Sequence, residues 1–268
     1  MKWVVTTVLH PAQTIVEIAH NIAEQLQLPF IVRGKNSLEA IKQIYQVDSL
    51  IVITKNGPVA QTPGGDFFFH LNMAELRIKN LINGKHDHMI SAMGLSPGMS
   101  VLDCTLGLAT DAIVASFITG TCGTIVGLET SPVISLITRY GLQNFFSGND
   151  SIDQAMRRIS VKNDNYHEYL PKLPENSFDI VFFDPMFRRP IQNSSNLKPL
   201  RYLADNRPLT VEAIYEAKRI AKQRVIIKET HSSSEFNRLG ITTVLGGKYS
   251  SIQYGILEAA GGNNVWNV

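Results

Sequence analysis

From Met99 onward the chain alternates between two apolar patterns. SVLDCT, TIVGLET, RISVKND, FDIVFFD and RVIIKET are short, strand-like runs starting at Ser100, Thr124, Arg158, Phe178 and Arg224. Between them, LGLATDAIVASFIT, SPVISLITRYGLQNFF and TVEAIYEAKRIAK place apolar residues at helical spacing. Strands that read as nearly continuous Val, Ile and Phe are buried on both faces, which points to a parallel sheet covered by helices on each side. Repeated β-α-β units of this kind predict an α/β fold built on an open, doubly wound, mostly parallel sheet. The tail TTVLGGKYSSIQYGILEA alternates around Gly246-Gly247 and predicts a closing hairpin.

Residues 1–70 form a different pattern: strand-like WVVTTVL, a helix over Gln13–Leu26, strand-like PFIVRG, a second helix near Ser37–Tyr45, then SLIVITKNGPVAQ. Asn56-Gly57 is a hairpin signal in that last stretch. The expected organisation is a small N-terminal α/β cap domain over 1–70, a helical connector over 71–98 and a main domain over 99–268. The connector is read as helical through Leu81 and broken at Asn83-Gly84.

Composition changes this picture little. With 268 residues, 44% hydrophobic and 18% charged, the chain is an ordinary folded protein. No apolar run reaches the roughly 18 residues of a membrane span, and MKWVVTTVLHPAQT reads as a strand rather than a signal peptide. Cys104 and Cys122 suggest no disulfide framework or metal spacing; they are read as buried free thiols of a cytoplasmic protein. His86-x-His88 lacks a third ligand at suitable spacing, so no metal is expected. The net charge of +2 hides an asymmetry: residues 188–228 carry ten Lys/Arg against three acids, a local +7 that leaves about −5 elsewhere. Such a segment suits a polyanionic partner, or is simply a solvated helix face.

The chemistry gathers at strand ends. The runs close on Asp103, Glu129, Asn163-Asp164 and Asp184. In doubly wound sheets ligands bind beyond the carboxyl ends of the strands. Gly107, just past Asp103, lets backbone approach a ligand, and a helix opens beyond it. The G-x-G-x-x-G dinucleotide fingerprint is absent. Glu129, 22 residues after Gly107, stands where a carboxylate accepts both ribose hydroxyls of an adenosine. A side chain at Asp164 can hold an adenine amino group or simply make a turn. Tyr166 and His167 after the third strand read as part of a surface helix, or as bordering the adenine; Lys228 reads as a strand-end residue and Lys55 as a turn lysine.

Three motifs together resemble class I S-adenosylmethionine-dependent methyltransferases: D-x-T-x-G-x-x-x-D from Asp103 to Asp111, E-x-S-P-V from Glu129 to Val133, and D-P-M-F from Asp184 to Phe187. Within that superfamily they are most similar to the bacterial 16S rRNA guanine-N2 methyltransferases of the RsmJ family, over roughly residues 85–230. The resemblance implies a Rossmann-like methyltransferase fold and S-adenosyl-L-methionine as cofactor. It places Asp103, Thr105, Gly107 and Asp111 on the methionine side, Glu129 on the ribose and Asp164 near the adenine. Asp184 and the Pro185 carbonyl would accept the N–H groups of a guanine amine, Phe187 would stack on the extruded base, and Arg188 and Arg189 would meet phosphates. The partner would be ribosomal RNA or the small ribosomal subunit, with no membrane role; oligomeric state is left open. The chain departs from the superfamily's D-x-G-x-G-x-G loop at Thr105 and Ala109, and GKHDHMISAMGL has histidines where the family has arginines. Alternatives are a methyltransferase for a protein side chain or small molecule, a non-catalytic RNA-binding assembly protein, and a nicotinamide-dependent oxidoreductase, the last disfavoured by the missing glycines.

Overall fold

The computed structural model describes residues 2–71, 73–185, 198–248 and 250–259, and the chain divides into two compact units. The larger comprises Leu71–Thr130 with the described parts of Phe146–Pro190 and Asn206–Val268. Its seven strands are β5 (Ser100–Asp103), β6 (Thr124–Leu128), β7 (Ile159–Lys162), β8 (Phe178–Phe183), β9 (Ala221–Thr230), β10 (Thr243–Leu245) and β11 (Ile252–Glu258). They lie in the order β10–β11–β9–β8–β5–β6–β7. β5 through β9 are parallel, whereas β11 runs antiparallel to β9 and to β10, so the closing hairpin forms. The fold is therefore α/β with a mostly parallel sheet.

The chain leaves β5 for β6 on one side and later returns to β8 on the other, making the β5/β8 boundary the switch point where such sheets bind ligands. Apolar continuity anchors it there: Phe182 and Phe183 of β8 are fully buried, as are Leu102 of β5 and Ile226 and Ile227 of β9. Each such side chain contributes about 1.5–3 kcal/mol of transfer free energy. Phe183 packs in one cluster with Leu102, Leu128, Val225 and Ile227, joined by Ala213, Ala217 and Ile220 of α10 (Val211–Ile220). Thr210 caps α10 by accepting the Ala213 N–H at 3.2 Å.

Before the sheet come α3 (Met73–Ile82) and α4 (His88–Met93), with the expected break at Gly84, whose φ is +74°. α5 (Thr110–Thr119) follows β5 and is buried almost all round, from Asp111 to Ser116. α7 (Asp150–Arg157) has no counterpart in the sequence reading, although its signal is present. Asn149 caps the Ser151 and Ile152 N–H groups, and Ile152, Ala155 and Met156 are buried at helical spacing. α8 (Tyr166–Tyr169) buries Tyr166 edge-on against Phe183, at 5.4 Å between ring centroids. α11 (Glu235–Arg238) is a single turn before the closing hairpin.

The smaller unit comprises Met1–His70, Ser131–Phe145 and the described part of Ile191–Asp205. Its sheet runs β1 (Trp3–Thr7), β2 (Ser49–Thr54), β3 (Gly57–Thr62), β4 (Gly65–Phe68), with β1 and β2 parallel and the rest antiparallel. α1 (Gln13–Gln25) and α2 (Leu38–Tyr45) match the expected helices, and the hairpin falls between Thr54 and Gly57. PFIVRG is not a strand. Only Phe30 bridges Val5, because Thr6 Oγ1 donates to the Ile31 carbonyl at 2.9 Å and Arg33 turns back onto the Thr7 carbonyl, diverting the ladder. α6 (Pro132–Asn144) and α9 (Lys198–Leu203) also belong to this unit. Gly141 of α6 is required there: a Cβ would fall 1.9 Å from the Phe69 ring.

Candidate active site

The carboxyl ends of β5, β6 and β8 converge because their register is tight: Asp103 pairs with Gly127 of β6 and with Phe182 of β8. Asp103 is 3% exposed. One of its oxygens accepts the Thr105 N–H at 3.0 Å, and the other has no hydrogen-bond partner among the described residues. Thr105 Oγ1 accepts the Asp184 N–H at 2.6 Å, so one hydroxyl ties the β5 loop to the mouth of β8. Leu106, next along, lies over Gly127, where a Cβ would sit 2.4 Å from its methyl. The Gly107 N–H donates to Glu129 Oε2 at 3.1 Å, linking this loop to the end of β6. Glu129 is itself buried, and its carbonyl accepts from Asn163 Nδ2 at 2.8 Å. Asp164, half-buried, accepts the Asn165 N–H at 2.8 Å.

A chain of ion pairs runs behind these groups. Arg77 of α3 forks onto Asp87 (2.8 and 3.0 Å) and donates to Asp111 Oδ1 at 2.5 Å. Lys228 of β9 donates to Asp111 Oδ2 at 2.7 Å and to Asp184 Oδ2 at 2.8 Å. Asp87 also caps α4 through the Met89 and Ile90 N–H groups. Tyr254 of β11 is paired in register with Lys228.

This layout separates the carboxylates electrostatically. Burial, reinforced by the fields of Asp111 and Asp184, pushes Asp103 up to about 8, against the pull of the Thr105 N–H. Burial alone would also raise Asp111, but the Lys228 and Arg77 cations hold it down at about 2. Asp184 is raised to about 6, burial and the Asp111 charge outweighing Lys228, although 28% of its side chain is exposed. Burial opposes charge on Lys228, yet its two carboxylates raise its pKa and keep it an ammonium. Burial pushes Tyr254 up to about 12.

The structure thus brings Asp103, Thr105, Gly107, Asp111, Glu129 and Asp184 into one connected set, with the half-buried Pro185 following Asp184. Phe187, Arg188 and Arg189 lie outside the described residues. Asp111, expected beside the cofactor, has both oxygens engaged by cations. Lys228 is part of the site rather than only a strand end. A Lys-Glu pair directly after Val225-Ile226-Ile227 was the available signal, since charges in a buried strand require partners. For Arg77 the sequence offered no signal. Cys104 is buried as expected, whereas Cys122 is exposed, in the turn between α5 and β6. His86 Nε2 lies 2.7 Å from Ser91 Oγ, and among the described residues no three His, Cys, Asp or Glu are grouped to hold a metal. The basic stretch is partly turned inward. Arg219 binds Glu216 and the Leu170 and Leu173 carbonyls, Lys222 pairs with Asp179, and Arg224 with Glu258 and the Ala92 carbonyl.

The family model described as "Putative SAM-dependent methyltransferase" matches residues 63–250. A Bacillus subtilis (strain 168) protein, YpiP, described as uncharacterized, is 36% identical over 256 residues, spanning 96% of this chain and 99% of that one. The ribosomal RNA small subunit methyltransferase J of Buchnera aphidicola is 25% identical over 170 residues, covering 62% of this chain and 67% of that protein. Among solved structures, the SAM-dependent methyltransferase NGO1261 of Neisseria gonorrhoeae superposes with a TM-score of 0.64 over 97% of both chains, at 14% identity, which speaks to the fold. With its motifs on this sheet and the family match spanning most of its length, the chain belongs to the SAM-dependent methyltransferases, and its cofactor is S-adenosyl-L-methionine.

Proposed function

We propose that the protein methylates the exocyclic N2 of a guanine in 16S rRNA, acting in the cytoplasm on the small ribosomal subunit or its RNA. The observation that carries this reading is Asp184: a carboxylate at the switch-point mouth, fixed at its backbone by Thr105 and at one oxygen by Lys228. The likeness to a ribosomal RNA methyltransferase supports the choice of substrate.

The donor set fits the cofactor. The buried Asp103 oxygen that has no hydrogen-bond partner among the described residues suits the ammonium of the methionine moiety, whose charge would favour ionisation of a carboxyl that burial otherwise keeps protonated. Glu129, held by Gly107, suits the ribose hydroxyls. Thr105 and Gly107 would shape the loop between them, Asp164 would border the adenine, and Asp111 would act through Arg77 and Lys228. Bound there, the cofactor supplies a methyl group on a sulfonium, which leaves without acid assistance. What remains for the protein is alignment, worth roughly 7–11 kcal/mol in well-oriented systems, and improvement of a poor nucleophile. Asp184 Oδ1 and the Pro185 carbonyl would accept the amine N–H groups, favouring the pyramidal nitrogen that attacks. Asp184 Oδ1 is also the atom to receive the proton that the amine loses. Phe187 would stack on the base, and Arg188 and Arg189 would hold adjacent phosphates.

A methyltransferase for a smaller or protein-borne amine is the second reading, favoured by the inward pairing of Arg219, Arg224 and Lys228. Transfer of label from S-adenosylmethionine to small subunits, taken from cells lacking the gene and from cells carrying it, separates the two. Labelling only of the former, recovered as N2-methylguanosine, supports the rRNA reading; no labelling of either, with cofactor binding intact, rejects it.

A further inference from the structure

Asp184 and Asp111 come from different elements, the end of β8 and the first turn of α5, and a single ammonium, Lys228 Nζ, lies within 2.8 Å of both. The contact is selective: Lys228 takes Asp184 Oδ2, and Asp184 Oδ1 has no hydrogen bond among the described residues. Asp111 is itself immobilised by Arg77, which is forked onto the Asp87 cap of α4. Lys228 is therefore braced from behind and cannot follow Asp184 if that carboxylate rotates. We propose that Lys228 is a positioning residue for methyl transfer: anchored by Asp111, it occupies one oxygen of Asp184 and so presents the other, ionised, to the substrate amine. This inference rests on the role of Asp184 given above.

The groups facing Asp184 and Lys228 are Asp103 from β5, Asp111 from α5, Glu229 from β9 itself, Tyr254 from β11, and Arg77 through Asp111. Among them Lys228 is the cation that lowers the Asp184 pKa, while Asp111 and Glu229 raise it. Removing Lys228 must then raise that pKa, and a protonated Asp184 is a poorer acceptor. The acid limb of the pH–rate profile shifts to higher pH.

The test compares wild type, Lys228→Met, Lys228→Arg and Asp184→Asn. Transfer to gene-deleted small subunits is followed against pH, cofactor affinity by calorimetry, and the carboxyl carbon of Asp184 by NMR on aspartate-labelled protein, assigned by its loss in Asp184→Asn. For Lys228→Met we expect kcat to fall about tenfold or more, cofactor Kd to change less than about threefold, and both the acid limb and the Asp184 titration to move up by at least about one pH unit. Lys228→Arg retains the charge and both pairs, so it keeps the fold and leaves the titration near wild type. An Asp184 titration unmoved in Lys228→Met, or moved equally in Lys228→Arg, overturns the proposal. If Asp184→Asn retains full transfer, the role of Asp184 is wrong and the inference falls with it. If Asp184→Asn is inactive while Lys228→Met has wild-type kcat, Lys228 alone is refuted. Should Lys228→Met fail to fold, a wild-type acid limb and partial kcat in Lys228→Arg support the role, and a displaced limb there overturns it.

Discussion

The two sheets of this protein both contain parallel strands of buried β-branched residues, yet their strand ends differ in kind. In the four-stranded sheet β1 ends at Thr6-Thr7, β2 at Thr54 and β3 at Thr62. The hydroxyls of Thr6, Thr54 and Thr62 donate to nearby carbonyls, those of Ile31, Gly57 and Gly65. In the seven-stranded sheet the corresponding positions hold Asp103, Glu129 and Asp184, with Lys228 between two carboxylates. A hydroxyl can satisfy itself on local backbone, whereas a buried carboxylate must find a cation, several N–H groups or a proton. Parallel strands alone therefore make no site; long-range charge at their ends does.

Substitutions at and behind the strand ends test that contrast. The largest effect on catalysis is expected at Asp184→Ala, which should lower kcat by at least about 10²-fold, while isothermal titration finds cofactor affinity within a few fold. A large loss of affinity would instead place Asp184 on the cofactor. Arg77→Met should cost about 3–5 kcal/mol in urea unfolding, because Asp87 is left buried without its cation. The same replacement at Lys79, exposed on α3 with Glu75, should cost less than about 1 kcal/mol. Glu129→Ala removes a charged acceptor, and cofactor Kd should rise about 10- to 100-fold; an unchanged Kd would end its ribose role.

The pH dependence of the ligand-free protein distinguishes the two kinds of strand end without any substrate. Asp103 is raised to about 8, so the folded state keeps a proton that the unfolded chain releases near its ordinary carboxylate pKa. Its contribution to stability is therefore lost as pH rises from about 4 towards 8. Asp103→Asn should flatten that fall in Tm, and an undiminished fall would show that another group controls it. Asp111 has the opposite sign: held down at about 2, it stabilises above the ordinary carboxylate range, and that stability is lost as pH falls through the folded value. A small effect is also expected in the hydroxyl-ended sheet, where Thr6→Val should cost about 1 kcal/mol by chemical denaturation and leave transfer unchanged.

Legibility followed the range of the interactions. β8, β9 and α10 were readable because burial on two faces or on one stripe imposes a local pattern. α7 does not stand out in the apolar pattern despite its Asn149 cap, because its polar face dominates the segment. PFIVRG looked like a strand and became a single bridge, since Thr6 and Arg33 diverted its carbonyl partners. Asp103, Glu129 and Asp184 stood out because each follows an apolar run, where a carboxylate is costly unless used.

The alternation of elements, the mostly parallel sheet, the closing hairpin and the carboxylates that end its strands are all legible in residue order. Periodicity and the cost of burying charge act over a few residues and leave marks in the local order of residue types. Tertiary structure alone decided that Lys228 joins residues 44 and 117 positions away, that Arg77 braces them from α3, and that α6 belongs with the N-terminal sheet. Those pairings depend on which strand lies beside which and on the register between them. A buried ammonium and a buried carboxylate specify only that each needs a partner, and it is the packing of β5, β8, β9 and α5 that chooses it.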